Sequence, residues 1–130
     1  MQSINGPKAF TVGTGGVYAN TLVKLSSGTI VDNTATSTDQ PIGVARNDGL
    51  AGDVVTVIFL NKEGTIEMKA AGAITSGADV YAAADGEIQA LPATAGTYKK
   101  IGIALEAASG DGSIIEVLPY DYNATTTVSE

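Results

Sequence analysis

The strongest alternation in the chain is Thr65-Ile66-Glu67-Met68-Lys69-Ala70, where Ile66, Met68 and Ala70 fall on one side and Thr65, Glu67 and Lys69 on the other. Two is the period of a strand; a helix would scatter these residues around its axis. Just upstream, Asp53 to Leu60 is β-branched and almost wholly apolar, as in a strand covered on both faces. Asn61-Lys62-Glu63-Gly64 lies between them and predicts a hairpin joining the two. Lys99 to Ala108 contains good helix formers, but its parity with Ile42 to Arg46 predicts a strand.

The same patterns recur at a nearly constant displacement. Leu22-Val23-Lys24-Leu25-Ser26-Ser27-Gly28-Thr29-Ile30 resembles Asp79-Val80-Tyr81-Ala82-Ala83-Ala84-Asp85-Gly86-Glu87-Ile88, each an extended stretch, a Gly turn and a return. Ile42-Gly43-Val44-Ala45 recurs as Ile101-Gly102-Ile103-Ala104, and Gly52 to Val57 recurs approximately as Gly112 to Val117. Three ordered matches predict an all-β fold, a small barrel or sandwich built from two similar halves by tandem internal duplication. The pseudo-repeats run over about 20–60 and 77–119, within a single β domain over 11–120. The expected core is Val23, Leu25, Ile42, Val44, Val55, Val57, Ile66, Met68, Val80, Ala82, Ile88, Ile101, Ile103, Ile115 and Val117. The Gly in each Ile-Gly-Val/Ile-Ala stretch marks a bend or a close backbone approach. Residues 1–10, with Gly6-Pro7, read as an extended N-terminal arm, and residues 121–130 as a polar tail that frays in isolation. Asp32 to Pro41 is small and polar, the composition of a solvated surface loop.

Composition narrows what such a domain can do. With 130 residues, 44% hydrophobic, the chain buries about two-thirds of its unfolded surface, enough for a core without disulfides or metals. It has no Cys and no His, which removes thiol nucleophiles, Ser/His and Cys/His pairs and every zinc site built on thiolate or imidazole. Seven basic residues against fourteen acidic ones give a net charge of −7, the wrong field for nucleic acid. The N-terminus has no secretory pattern, and apolar runs such as Val57 to Leu60 are far below the roughly 20 residues that span a bilayer, so neither nucleic acid nor membrane is expected as a partner.

Residues arranged for chemistry are few. No phosphate-binding Gly-x-x-x-x-Gly-Lys-Ser/Thr is present, and Val12-Gly13-Thr14-Gly15-Gly16-Val17 lacks the third glycine and the following helix of a dinucleotide fingerprint. The carboxylate pairs Glu63/Glu67 and Asp85/Glu87 fall on polar sides of strands, where acids stay solvated and ionised. Ser109-Gly110-Asp111-Gly112-Ser113 lacks the spaced ligands of a calcium loop and reads as a tight turn. Tyr98-Lys99-Lys100 reads as a solubilising basic pair on a polar loop. No catalytic, cofactor or metal residue is therefore expected. Tyr120 and Tyr122, flanking Asp121 after the last strand, suit either an interface anchor or a lid over the barrel end.

Several of these segments together resemble a known family. Ala71-Gly72-Ala73-Ile74-Thr75-Ser76-Gly77-Ala78-Asp79-Val80-Tyr81, the following Asp85-Gly86-Glu87-Ile88 and the two Ile-Gly-Val/Ile-Ala strands are similar to the head decoration, or capsid cement, proteins of tailed bacteriophages. The likeness covers roughly Gly6 to Pro119. Members are sometimes labelled RecA-like recombinases, which the missing phosphate loop contradicts. The resemblance implies a β-barrel-like structural protein, not an enzyme, that is made in the bacterial host cytoplasm and binds the outer surface of the expanded head. There it would form homotrimers, clamp neighbouring subunits of the major capsid protein and need no cofactor. It also implies that Gln2 to Phe10 can add a strand to a neighbour's sheet edge, with Gln2, Ile4, Pro7 and Phe10 as partner-binding candidates beside Tyr120 and Tyr122. A frayed terminus is the alternative for that arm. For the whole chain the alternatives are a receptor- or carbohydrate-binding module of a phage tail or fibre, which would display stacked aromatics although Trp is absent, and a small carboxylate enzyme.

Overall fold

A computed structural model describes residues 7–34, 38–61, 63–122 and 124–129. Short β-branched stretches punctuated by Gly turns give the strands β1 (Lys8–Thr11), β2 (Leu22–Ser26), β3 (Thr29–Asp32), β4 (Gly43–Ala45), β5 (Val54–Phe59), β6 (Ile66–Lys69), β7 (Asp79–Ala82), β8 (Ile88–Gln89), β9 (Gly96–Ala104), β10 (Ile114–Pro119) and β11 (Thr125–Val128). One 3-10 turn lies at Ala84–Gly86. The first five strands form an antiparallel sheet in the order β1-β5-β4-β2-β3, the second five another in the order β6-β10-β9-β7-β8, and β11 pairs with β9. The fold is all-β, and the second sheet repeats the connectivity of the first.

The correspondence extends to individual bonds. In the first half Gly13 N–H donates to the Ile30 carbonyl and Asn20 N–H to that of Ala45; in the second, Ala71 donates to Ile88 and Gly77 to Ala104. Each sheet curls until its edge strands meet through one parallel bridge, Val12 with Ile30 and Ala70 with Ile88. That contact gives each half a barrel-like shape and covers the free strand edges that invite aggregation.

Two apolar clusters follow. Val12, Val17, Val23, Ile30, Ala45, Val55 and Val57 fill the first half. The larger cluster fills the second half and also takes in Leu22, Val44 and Leu60, which lie on the outward face of the first sheet. The halves therefore share a core across their seam. Twelve of the fifteen expected core residues are buried, but Leu25 is 55% exposed, and Ile42 and Ile103 are half-buried. Ile103 occupies an outward-facing strand position, which alternation within a short apolar segment does not distinguish, whereas Leu25 shares the face of Val23 and Ile30 but lies at the open end of β2 beside its turn.

Other expectations are corrected. β5 and β6 do not form a hairpin: β5 has β1 and β4 on its two sides, while β6 pairs with β10 in the other sheet. The residues between them carry the chain from one half to the next. Lys8 to Phe10 are not a free arm, because β1 already pairs with β5, while residues 1–6 lie outside the described residues. The polar tail contributes β11, whose Thr125 to Val128 lie against Lys99 to Gly96. The two Ile-Gly stretches do mark close approaches: a Cβ on Gly43 would stand 2.2 Å from the Ile58 carbonyl oxygen, and one on Gly102 2.2 Å from that of Leu118.

Candidate functional site

The six partner-binding candidates separate in the structure. Gln2 and Ile4 lie outside the described residues, and Pro7 is exposed just before β1. Phe10 packs against the first core and meets Phe59 edge-on at 6.1 Å, so its ring is committed within the chain. Tyr120 is 54% exposed with the Lys100 ammonium 5.0 Å above its ring, whereas Tyr122 packs against the second core and its carbonyl accepts a long hydrogen bond from Gln40 Nε2. The two tyrosines thus differ: one faces outward and the other helps to anchor the C-terminal segment.

The lysine pair sits on β9, not on a loop. Lys99 is buried, and its ammonium donates to Gln40 Oε1 at 3.2 Å; Lys100 pairs with Asp79 at 3.4 Å. Gln40 in turn helps to pin the loop whose composition suggests mere solvation. At the start of that loop Asn33 is fully buried, and Asp39 is tied to Lys24 at 2.8 Å and to the Thr34 hydroxyl. Hydrogen bonding to Lys24 and then to Thr34 holds the Asp39 carboxyl below its ordinary range.

The acids gather where the sequence pattern predicts only solvated ones. Asp32, at the end of β3 in the first half, is pushed up to about 6 by burial, with Asp85 and Glu87 of the second half adding repulsion. Its Oδ1 is buried without a hydrogen-bond partner. Glu87 is itself partly buried and raised, first by desolvation and then by Asp111, although Lys69 approaches it at 3.7 Å. No group of three acids among the described residues is placed to hold a metal ion. With no His or Cys in the chain, these acids have no imidazole or thiol to work with. They come from both halves, Asp32 from the first and Asp85 and Glu87 from the second.

The remaining candidates are exposed apolar side chains: Leu25, Leu50 and Val54 in the first half, and Leu91, Leu105, Ile114 and Leu118 in the second. Leu118 and Ile103 pair across β9 and β10 and share one outward face. Along β10 the outward residues are Ile114, Glu116 and Leu118, so apolar residues at outward strand positions are the readable signal for this face.

With that geometry in view, a scan against protein-family models matches the phage cement protein family over residues 5–119. The chain belongs to this family. Its match spans both halves and places the chain among phage structural proteins associated with the capsid. A search of curated proteins found no match. Among solved structures, the N base of the head fibre protein gp8.5 of bacteriophage phi29 is similar, with a TM-score of 0.69 at 21% identity. That likeness covers 95% of this chain and 99% of the other, and at this identity it speaks for a shared fold. The cement family is one of structural virion components.

Proposed function

We propose that this cement-family chain binds the outer surface of the phage capsid as a homotrimer and stabilises the expanded head by bridging neighbouring subunits of the major capsid protein. The observation that carries the reading is the family match across residues 5–119, which takes in both halves. A ligand that recognises several subunits only as the expanded lattice arranges them stabilises that lattice by mass action, without catalysis. The repeated connectivity and the paired close-approach glycines Gly43 and Gly102 support a tandem duplication as the origin of the two halves. In a carbohydrate-binding module aromatic faces would be free to stack on sugars, whereas Tyr18 and Tyr120 each carry a lysine ammonium over the ring, at 5.7 and 5.0 Å. The test is co-sedimentation of purified protein with expanded capsids lacking it, with unexpanded shells as control, followed by thermal challenge. Saturable binding to expanded shells and a raised disruption temperature are expected; no binding to either shell overturns the reading.

A further inference from the structure

The two halves are joined by a contact whose matching parts recur, without such a partner among the described residues, in the turn of the first half and the strand row of the second. In the first sheet, Leu22 pairs with Val44 and Val44 with Ile58, forming an outward apolar row that is covered by the second half. The 3-10 turn of the second half seats on it. Gly86 lies so close over β2 that a Cβ there would come within 2.5 Å of the Leu22 carbonyl oxygen, and its N–H donates to the Asn33 carbonyl at 2.8 Å.

The shared register puts Asp79, Ile103 and Leu118 at the positions of Leu22, Val44 and Ile58, since Asp79 pairs with Ile103 and Ile103 with Leu118. Among the described residues this second row is less covered than the first: Leu118 is 38% exposed, Asp79 is also exposed and Ile103 is half-buried. The seating turn has a free counterpart as well. Ser27 and Gly28, at φ 50° and 84°, repeat the left-handed pair Asp85 and Gly86, at 59° and 74°. At Gly28, however, nothing lies within 4 Å of the point where a Cβ would stand; Ser26, which pairs with Thr29 as Ala83 meets Glu87, is exposed where Ala83 is buried, and Leu25 beside it is exposed too. Leu91, the counterpart of the Asn33 that receives Gly86, is exposed too.

We propose that copies of this chain associate head to tail, the Leu25–Gly28 turn of one seating on the Asp79–Ile103–Leu118 row of the next. The contact repeats between chains the one that joins the halves within a chain. The occupant of the row is a second copy because the surface that the fold already fits to such a row is a turn of this kind, and each copy has one to spare. Asp79 does not forbid the contact, since Lys100 already pairs with it at 3.4 Å. Unlike a two-fold contact, a head-to-tail one uses different patches on the two partners and forms a ring when its rotation closes. The inference rests on the capsid reading above for its setting: three two-barrel chains closed in this way would place six barrels around one axis. The contact itself does not depend on a shell.

The test uses complementation in analytical ultracentrifugation. Wild-type protein is expected to self-associate as concentration rises toward the millimolar range, while Leu25→Glu and Leu118→Glu each lose association by about tenfold or more and sediment as monomers. A one-to-one mixture of the two variants is expected to form dimers and nothing larger, because one variant keeps an intact row and the other an intact turn. Both positions are exposed, and far-UV circular dichroism together with the milder Leu25→Ser and Leu118→Ser variants checks the fold. A wild type that stays monomeric at every concentration overturns the proposal. So does a Leu25→Glu protein that still associates alone, or a mixture without dimers. Protein that associates as described yet ignores expanded shells would leave this contact standing and sink the capsid reading; shell binding by a protein monomeric in solution would do the reverse.

Discussion

Gly102→Ala puts a methyl group where the backbones of β9 and β10 leave no room for one. The added Cβ would stand 2.2 Å from the Leu118 carbonyl oxygen, 2.9 Å from its carbon and 2.9 Å from the Cα of Pro119. Ordinary contact at carbon needs about 3.5 Å, so β10 has to retreat by about 1 Å or more. All three obstructing atoms are main chain, and no rotamer change relieves them. Overpacking of this kind costs about 1–3 kcal/mol. Loosening the local ladder at Leu118↔Ile103 and Pro119↔Gly102 removes on the order of two hydrogen bonds, at about 1 kcal/mol each. The expected loss is therefore about 3–5 kcal/mol, a large fraction of a typical domain's stability of about 5–15 kcal/mol. Gly110→Ala is the control, since nothing lies within 4 Å of its Cβ position, and it should change stability by no more than about 1 kcal/mol. Urea unfolding followed by circular dichroism reads the difference as a lowered midpoint at unchanged slope. A Gly102→Ala protein within about 1 kcal/mol of the Gly110→Ala control would refute the account of these strands as held together by a glycine-only approach. Gly43→Ala, whose Cβ would meet the Ile58 carbonyl oxygen at 2.2 Å, should behave alike.

Three further outcomes are expected. Asp32, raised to about 6 when folded, carries a penalty that is absent below about pH 4 and grows to its full size above about pH 6, so stability falls across that window. Asp32→Asn should remove this fall and stabilise the protein at pH 7 by about 1–2 kcal/mol after solvent screening, which thermal unfolding at pH 4 and pH 7 would show. Lys99→Met should be neutral or stabilising by up to about 1 kcal/mol, because the buried ammonium has the neutral Gln40 as its hydrogen-bond partner; a loss above about 2 kcal/mol in the same melts would contradict this. Deleting residues 125–130 removes β11 and the Tyr81–Thr126 hydroxyl contact at 3.1 Å while leaving both five-stranded sheets intact, so hydrogen exchange should quicken over Gly96 to Lys99 and stay slow in β10.

Much of the fold is readable because strands announce themselves by period, and the repeat doubles each signal. Val55 and Val57 point inward for the same reason as Ile115 and Val117, and each pair supports the reading of the other. Pairing partners are not readable in this way. β5 and β6 are separated by a turn-like sequence, yet they diverge into different sheets, because both sides of β5 are taken by β1 and β4. A local turn signal states that the chain can reverse; it does not state which edge is vacant. The tail misleads for a related cause. Thr125-Thr126-Thr127-Val128 is polar enough to fray, and it is held because β9 extends past its pairing with β7 and leaves Gly96 to Lys99 to be matched.

The candidate site is hidden for the opposite reason, since its meaning lies in differences between two halves that look alike. Leu22 and Asp79 occupy the same place in the same register, and so do Leu25 and Ala82, the partners of Ile30 and Ile88 at the turn that follows. In the first half the row is apolar and the turn carries an exposed leucine; in the second the row begins with an acid and the turn carries a buried alanine. Were the halves merely two copies of one barrel, these positions would have no reason to diverge as a set. They diverge in the way required of a chain whose first row is sealed permanently during folding and whose second row stays soluble until something meets it. A permanently covered row gains from every methylene it buries, by about 25 cal/mol per Å², whereas an exposed one gains solubility from a charge such as Asp79. Neither requirement can be seen in either half alone. Each becomes visible once the register aligns them, and that alignment needs the three-dimensional pairing of β2 with β4 and of β7 with β9.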